Sequence, residues 1–210
     1  MPQAPLSGRR AQAARNDELI LEAAREVFVA NPEAPIAAVA ERAGVGISAL
    51  YRRYPSKEEL LRHLCAEGLA RYVEAVRAAV DDPGDPWEAF VTFMQRAVES
   101  ESSALTVRLA GTFEPSEELY REAARAGELN EELFGRLRAS GAVRADIEVN
   151  DVALVLEQLA TIKLGDRERN LALRRRYLAL ALDGLTATGA AELPGPAPTD
   201  EELSDRWQRR

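Results

Sequence analysis

The chain has 210 residues, of which 46% are hydrophobic and 30% are charged, and this balance excludes an intrinsically disordered protein. Strong helix formers (Ala, Leu, Glu and Arg) dominate and no segment alternates like a strand, so the composition predicts an all-α fold. The net charge of −8 is unevenly spread: the first 57 residues carry 8 basic and 6 acidic side chains, whereas the remainder carries 19 and 29. Such asymmetry is typical of a protein that binds nucleic-acid phosphates through one end only.

Several classes of protein are disfavoured by what the sequence lacks. Cys65 is the only cysteine, which rules out an intrachain disulfide and favours a reducing compartment. There is no apolar signal-type segment at the N-terminus, and no run approaches the roughly 18 apolar residues of a membrane span. His63 is the only histidine, and no cysteine–histidine cluster, Gly-rich phosphate loop or Ser/His/Asp arrangement is found. We therefore expect a cytoplasmic protein without a membrane partner, metal site, cofactor or enzymatic activity.

The first 30 residues are expected to form an arm and one amphipathic helix. Residues 1–14 contain Pro, Gly and Arg without apolar periodicity, which predicts a loose basic arm. Over 16–30, Ile20, Ala24 and Phe28 recur on one face of a helix. Two prolines shortly after residue 30 predict the end of that helix.

Two short helices follow, and their arrangement is the most informative feature of the sequence. They are predicted over 36–43 and 47–54, and Gly44 stands where the first would end in the left-handed conformation. Small or apolar residues are predicted to face inward from both helices: Val39, Ala40, Ala43, Leu50 and Tyr54. This pattern is typical of a helix-turn-helix, whose second helix enters the major groove of DNA.

Most of the remaining chain is also predicted to be helical. Ser56 and Glu59 form a capping box that opens a helix to about residue 80, and Asp85 caps another that ends at about residue 100. Further helices are predicted over 102–112, 116–140, 151–164 and 167–185. The Pro-rich and charged residues 191–210 are predicted to be a flexible tail.

The segment 50–58, with the sequence LYRRYPSKE, resembles the signature of the TetR/AcrR family of transcriptional regulators. Seven residues fall at the intervals expected for that family: Ala40, Gly44, Val45, Leu50, Tyr51, Tyr54 and Lys57. The resemblance extends over roughly 16–64. It implies an N-terminal arm and three-helix helix-turn-helix DNA-binding domain over 1–58, followed by a C-terminal helical ligand-binding and dimerisation domain over 59–190.

The resemblance also implies which residues meet DNA. Tyr51 and Lys57 match phosphate contacts, and Lys57 opens a helix whose N-terminus favours phosphate. The residues that match base-edge positions are Gly46, Ile47, Ser48 and Ala49. Arg52 and Arg53 match further groove or backbone contacts. The sequence departs from the family pattern at 34–36, where Ala-Pro-Ile replaces the usual Thr or Ser, and this leaves the operator sequence open.

Two sets of residues in the larger domain are candidates for an effector site and a dimer interface. Five aromatic and sulfur side chains have a spacing that is more typical of ordinary core, but the family resemblance favours a ligand cavity among them: Trp87, Phe90, Met94, Phe113 and Tyr120. The last two helices carry more apolar surface than one buried face requires, so a second subunit is expected to cover them. The predicted contacts in that four-helix interface are Val155, Leu159, Ile162, Leu171, Leu178 and Leu182.

These predictions combine into one function and two alternatives. We expect a ligand-responsive transcriptional repressor that binds a near-palindromic double-stranded operator as a homodimer, at the nucleoid, and is released by an apolar or amphipathic small molecule. The first alternative is an architectural or division-linked DNA-binding protein on the same scaffold. The second is a helical small-molecule-binding protein without operator binding, which the small residues at the base-edge positions leave open.

Overall fold

The computed structural model describes residues 6–100, 109–186 and 191–205, and over 6–14 it describes the backbone alone. The helices are α1 (Leu6–Ala30), α2 (Ile36–Ala43), α3 (Ile47–Arg53), α4 (Lys57–Val80), α5 (Pro86–Glu99), α6 (Glu117–Ala139), α7 (Val149–Ala160), α8 (Arg167–Leu185) and α9 (Asp200–Asp205). No strand occurs within these described ranges. The all-α prediction is therefore confirmed.

Local signals in the sequence explain where several helices begin and end. The Ser56 hydroxyl accepts a hydrogen bond from the Glu59 backbone N–H at 3.1 Å, and the Asp85 carboxylate accepts one from that of Glu88 at 3.0 Å. Each cap satisfies a backbone donor that the first helical turn leaves free. Gly44 ends α2 with φ 66°, the left-handed conformation predicted for it.

Four segments differ from the sequence-based expectation or extend it. The loose arm predicted over 1–14 is wrong for 6–14, because α1 already begins at Leu6. α7 ends at Ala160, four residues earlier than predicted. The helix predicted over 102–112 falls mostly on 101–108, outside the described residues. Within the predicted tail, residues 200–205 form α9, and the Asn150 amide donates to the carbonyl oxygen of Pro198 at 3.0 Å.

The helices enclose two separate hydrophobic cores. The head core is formed by α1–α3, the first part of α4 and the segment after residue 108; its fully buried members include Phe28, Leu50, Tyr54, Leu60, Leu64 and Phe113. The body core is formed by the second part of α4 together with α5–α8; its members include Val76, Phe90, Phe93, Met94, Leu137 and Leu178. α4 therefore belongs to both cores and joins the head (α1–α3) to the body (α5–α8).

Polar contacts also join the head to the body away from the axis of α4. In the turn between α7 and α8, the Lys163 ammonium donates to the backbone carbonyl oxygen of Val29 at 2.5 Å, near the end of α1. Arg167, the first residue of α8, pairs with Glu22 of α1 at 2.6 Å. The turn that connects the last two long helices thus lies against the first helix of the chain.

Candidate DNA-binding surface and ligand cleft

α2 and α3 form a helix-turn-helix whose inner side is closed by the residues that the sequence predicted. Val39, Ala40, Leu50 and Tyr54 are buried in the head core. The turn is tight because the N–H groups of Gly44 and Val45 donate to the carbonyl oxygens of Glu41 and Ala40, at 3.1 and 3.0 Å. The outer side of α3 is consequently free to face another molecule.

The eight residues predicted to bind DNA lie on α3, directly before it, or at the start of α4. The side chains of Ile47 and Tyr51 are 42% and 47% exposed, and Gly46, Ser48, Arg52 and Arg53 are also exposed. Ala49 and Lys57 are partly buried. An α-helix with one accessible side is the element that the major groove accommodates. The sequence-predicted set is therefore brought together on one edge of the head.

Lys57 is held in place by the head itself. Its ammonium donates to the backbone carbonyl oxygen of Pro32 at 2.7 Å and lies 5.2 Å from the centre of the Phe28 ring. Because an ammonium has three donors, one bond to a carbonyl leaves two for an anion. The position is preorganised at the N-terminus of α4, where the backbone also favours negative charge.

The two neighbouring arginines at the end of α3 have different surroundings. The Arg52 guanidinium makes no ion pair or hydrogen bond with the residues that the structure describes. Arg53 pairs with both oxygens of Asp17 on α1, from Nε at 2.8 Å and from Nη2 at 2.7 Å. The Tyr54 hydroxyl donates to the same carboxylate at 2.7 Å. Asp17 was not singled out from the sequence, because a single acidic residue on a helix belongs to no recognisable motif.

These contacts shift the acidity of the groups involved. The hydrogen bond from Arg53 lowers the pKa of Asp17 below its ordinary value, against the opposing effect of burial. Burial, and next the hydrogen bond to Asp17, raise the pKa of the Tyr54 phenol. The carboxylate is therefore ionised and the phenol protonated at neutral pH, which is the combination that the three hydrogen bonds require.

Comparison with known proteins assigns an N-terminal and a C-terminal segment of the chain to the same family. Residues 20–64 match the model described as bacterial regulatory proteins of the tetR family. Residues 85–187 match the C-terminal domain of SbtR-like transcriptional regulators. The chain belongs to the TetR family. That family consists of DNA-binding transcriptional regulators rather than enzymes.

Individual TetR-family proteins resemble the chain to different extents. The transcriptional repressor LfrR of Mycolicibacterium smegmatis is 35% identical over 103 residues, which is 49% of this chain and 52% of that protein, so the match spans about half of the relative's length. A TetR regulatory protein from Mycobacterium vanbaalenii is 28% identical, with a TM-score of 0.57 and coverage of 87% of this chain and 99% of that chain. The structure of LfrR from Mycobacterium smegmatis in complex with proflavine shares the fold, with a TM-score of 0.57 and 20% sequence identity. The match covers 86% of this chain and 98% of that chain.

The body of this TetR-family chain contains a cavity between α4, α5, α6 and α7. Its walls are formed by Tyr72, Phe90, Phe93, Asn130, Leu133, Phe134, Val149, Val152 and Ala153. The cavity volume is about 20 Å³, which accommodates one water molecule but not a ligand of drug size. A larger molecule therefore has to separate the surrounding helices.

Two polar side chains lie in this otherwise apolar cavity. The Tyr72 hydroxyl donates to the Asn130 side-chain oxygen at 3.0 Å, and burial raises the pKa of Tyr72 to about 12. The Tyr72 ring also contacts the edge of Phe93, with ring centres 5.4 Å apart. The Asn130 amide N–H₂ makes no hydrogen bond to the described residues. The Asn130 side chain, which lines the cavity, therefore keeps two amide N–H donors.

The five predicted effector residues are not brought to one place. Phe90 lines the cavity, and Met94 and Trp87 belong to the body core around it. Phe113, however, is fully buried in the head core, and Tyr120 is 56% exposed on α6. The residues that sequence analysis missed, Tyr72 and Asn130, lie on other helices, and only the fold brings them beside Phe90.

The six predicted dimer residues divide into two groups. Leu159, Leu178 and Leu182 are buried in the body core of the single chain, whereas Val155, Ile162 and Leu171 are partly buried at its border. The apolar side chains that α8 presents outward are instead Tyr177 and Leu180, with exposures of 48% and 59%. They were missed because α8 is apolar on most sides, so its sequence pattern does not show which side faces inward.

The described residues contain no group of three or more His, Cys, Asp or Glu residues arranged to hold a metal ion. Among them, no helix is both long enough and apolar enough to cross a membrane.

Proposed function

We propose that this TetR-family chain represses transcription by binding a near-palindromic operator as a homodimer, at the nucleoid of the cytoplasm, and that a small molecule releases it. The observation that carries the proposal is the exposed outer side of α3, flanked by Tyr51 and by the preorganised Lys57 ammonium. The similarity of the chain to a protein named as a transcriptional repressor supports repression rather than activation.

The residues at the head edge have distinct parts in this proposal. Tyr51 and Lys57 bind phosphates and fix the position of α3 on the duplex. Ile47 and Ala49 contact thymine methyl groups, while Ser48 and the close backbone at Gly46 add polar contacts. Arg52 has the side-chain reach and freedom to bind guanine through two hydrogen bonds, which discriminates by about 1–3 kcal/mol.

Dimerisation would bring two heads to the same side of a symmetric molecule. The outward apolar side of α8, with Tyr177 and Leu180, forms the centre of the proposed interface, and the partly buried Val155, Ile162 and Leu171 lie at its border. The same pair of helices from a second copy would complete a four-helix bundle. Two recognition helices would then meet half-sites about 34 Å apart.

The proposed effector enters the cavity beside Tyr72 and Asn130. An apolar or amphipathic molecule with one hydrogen-bond acceptor fits the aromatic walls and the amide donor. Because the cavity is small, binding has to separate α6 from its neighbours. A solved structure of LfrR holds proflavine, which supports a ligand of this general character and provides a first compound for screening.

α4 connects the proposed ligand site to the proposed DNA site. Lys57 is its first residue and Tyr72 lies fifteen positions later, so the two are about 22 Å apart along the helix axis. A ligand that favours a different position of Tyr72 will favour a different position of Lys57, and the operator affinity will change by the ligand's differential affinity for the two forms.

Selection of bound DNA from a random pool with the purified protein tests the regulatory function. We expect one near-palindromic sequence to be enriched and its binding to weaken as salt rises. Tyr51→Ala combined with Lys57→Ala should weaken binding strongly, and the salt slope should fall by about two because each protomer of the dimer loses one cationic phosphate contact. Tyr120→Ala with Arg121→Ala, on α6, is the matched control and should bind normally.

Two results would contradict the proposal, each in favour of an alternative. Enrichment of many unrelated sequences would indicate an architectural DNA-binding protein. Absence of any salt-dependent binding by the unmodified protein would indicate a helical small-molecule-binding protein without an operator.

A further inference from the structure

Asp17 connects three parts of the head through one carboxylate. It lies on α1 and receives two hydrogen bonds from Arg53, the last residue of α3, and one from Tyr54, which follows it. The Tyr54 ring in turn contacts the edge of His63 on α4, with ring centres 5.2 Å apart. Planar two-point pairing of guanidinium and carboxylate fixes orientation as well as distance. The end of the recognition helix is thus tied to α1 in a defined geometry.

We propose that Asp17 and Arg53 form a positioning pair that sets the angle of α3 on the head, and that Arg53 acts through Asp17 rather than by contacting DNA. This inference rests on the proposed function, because it concerns how α3 is presented to the operator. α3 has only seven residues, so its direction depends strongly on what holds its ends. Leu50 anchors the helix in the head core, and the pair with Asp17 holds its last turn.

The geometry favours a positioning role for Arg53 over a contact role. Two-point binding of guanine uses neighbouring N–H groups of the guanidinium, and Arg53 already directs Nε and Nη2 at Asp17, so only its outer Nη1–Nη2 edge is left for DNA. The ionised Asp17 carboxylate also offsets the positive charge that would attract a phosphate. The adjacent Arg52 has no such partner within the described residues, so the two side chains form a natural comparison.

The first experiment measures operator affinity against salt concentration for arginine variants. The probe is a duplex of about 30 base pairs, long enough for two half-sites, that was recovered with the unmodified protein by selection. Arg52→Gln should lower the salt slope by about two, because each protomer of the dimer loses one cationic contact with DNA. Arg53→Gln should weaken binding about tenfold but leave the slope unchanged, because the lost interaction is internal. An Arg53→Gln slope that falls as far as the Arg52→Gln slope would overturn the proposal.

The conservative variant separates charge from geometry. Arg53→Lys keeps the positive charge but cannot form the planar two-point pair. We expect it to recover only part of the affinity lost in Arg53→Gln. Full recovery would show that Arg53 acts as a charge near the duplex, and it would overturn the positioning role.

The second experiment measures whether neutralising Asp17 strengthens or weakens operator binding. A carboxylate near DNA repels phosphate, so its neutralisation should strengthen binding if it has no other role. Glu18→Gln, at the exposed neighbouring position, is the matched control and should leave binding equal or slightly stronger. Asp17→Asn should instead weaken binding about tenfold, because α3 loses its anchor. Stronger binding by Asp17→Asn would overturn the proposal.

A double variant and a stability measurement complete the test. Asp17→Asn with Arg53→Gln should bind about as weakly as either single variant, since both remove the same interaction. Additive losses would overturn the pairing. Thermal unfolding of each variant should begin well above the temperature of the binding assay, which shows that the head is folded where affinity is measured. If the unmodified protein does not bind DNA at all, the proposed function fails, whereas the outcomes above concern the positioning pair alone.

Discussion

The head core and the body core share α4 but differ in how they are filled. In the head, Phe28, Leu50 and Leu64 are all completely buried. In the body, Phe90 and Phe93 border a cavity that also contains the polar pair of Tyr72 and Asn130. Close packing resists deformation, whereas a cavity with a polar pair permits more than one arrangement. The comparison indicates that one helix connects a rigid DNA-binding unit to a more deformable unit.

The largest effect should come from removing one phenylalanine from each core. Phe28→Ala and Phe93→Ala should each lower the free energy of unfolding by about 3–5 kcal/mol, through lost burial and the cavity left behind. Phe28→Ala should also abolish operator binding, because Lys57 packs against that ring. Phe93→Ala should spare operator binding and enlarge the ligand cavity.

The two cores can be followed separately during denaturation of these variants by urea. Trp87 fluorescence in a Trp207→Phe background reports on the body, and labelling of Cys65 reports on the head. If both phenylalanine variants lose operator binding equally and their two probes change together, the division into a rigid and a deformable unit is wrong.

A smaller difference is expected for the tyrosine hydroxyls that donate hydrogen bonds in the head and in the body. Tyr54→Phe removes a hydrogen bond to the ionised Asp17 and should lower the free energy of unfolding by about 1.5 kcal/mol or more. Tyr72→Phe removes one to the neutral Asn130 and should cost about 0.5–1.5 kcal/mol. Tyr120→Phe, at an exposed position, is the control with no expected change. The measurement is urea denaturation; a larger loss for Tyr72→Phe would reverse the comparison.

The smallest effect, on reactivity rather than stability, concerns Cys65 in the head core. Burial raises the pKa of its thiol to about 12, so little thiolate is present at pH 8. Iodoacetamide should therefore label the native protein far more slowly than the urea-unfolded chain, with a single modified site because the sequence has one cysteine. Equal labelling rates in the two states would show that the head core opens readily.

The head was largely predictable from the sequence because its signals are local. The turn after α2 needs a left-handed residue, which Gly44 permits, and Ser56 precedes backbone N–H groups that it can cap. Val39 and Leu50 were predicted to face inward from α2 and α3, and the structure confirms each of these predictions. Asp17 was not predictable in this way. Its role depends on Arg53, which is 36 positions away in sequence and becomes a neighbour only when α1 and α3 pack together.

The body was less predictable, since helical periodicity does not specify which helices meet. The apolar residues of α8 almost encircle its axis, so the pattern could not separate the buried Leu178 from the exposed Leu180. Phe113 follows α5 in sequence, yet it joins the head core across the chain. The polar pair of the cavity comes from α4 and α6, and neither residue belongs to a recognisable motif.

The contact between the α7–α8 turn and α1 has a consequence for how such a regulator could be retuned. Lys163 and Arg167 tie the end of a helical hairpin to the back of the DNA-binding unit through a few hydrogen bonds. A hairpin anchored at its tip transmits tilting of its two helices directly to whatever it rests on. Under the proposed ligand-responsive function, we therefore expect a change in the length or stiffness of residues 161–166 to alter the dose–response while leaving the proposed ligand site and operator unchanged.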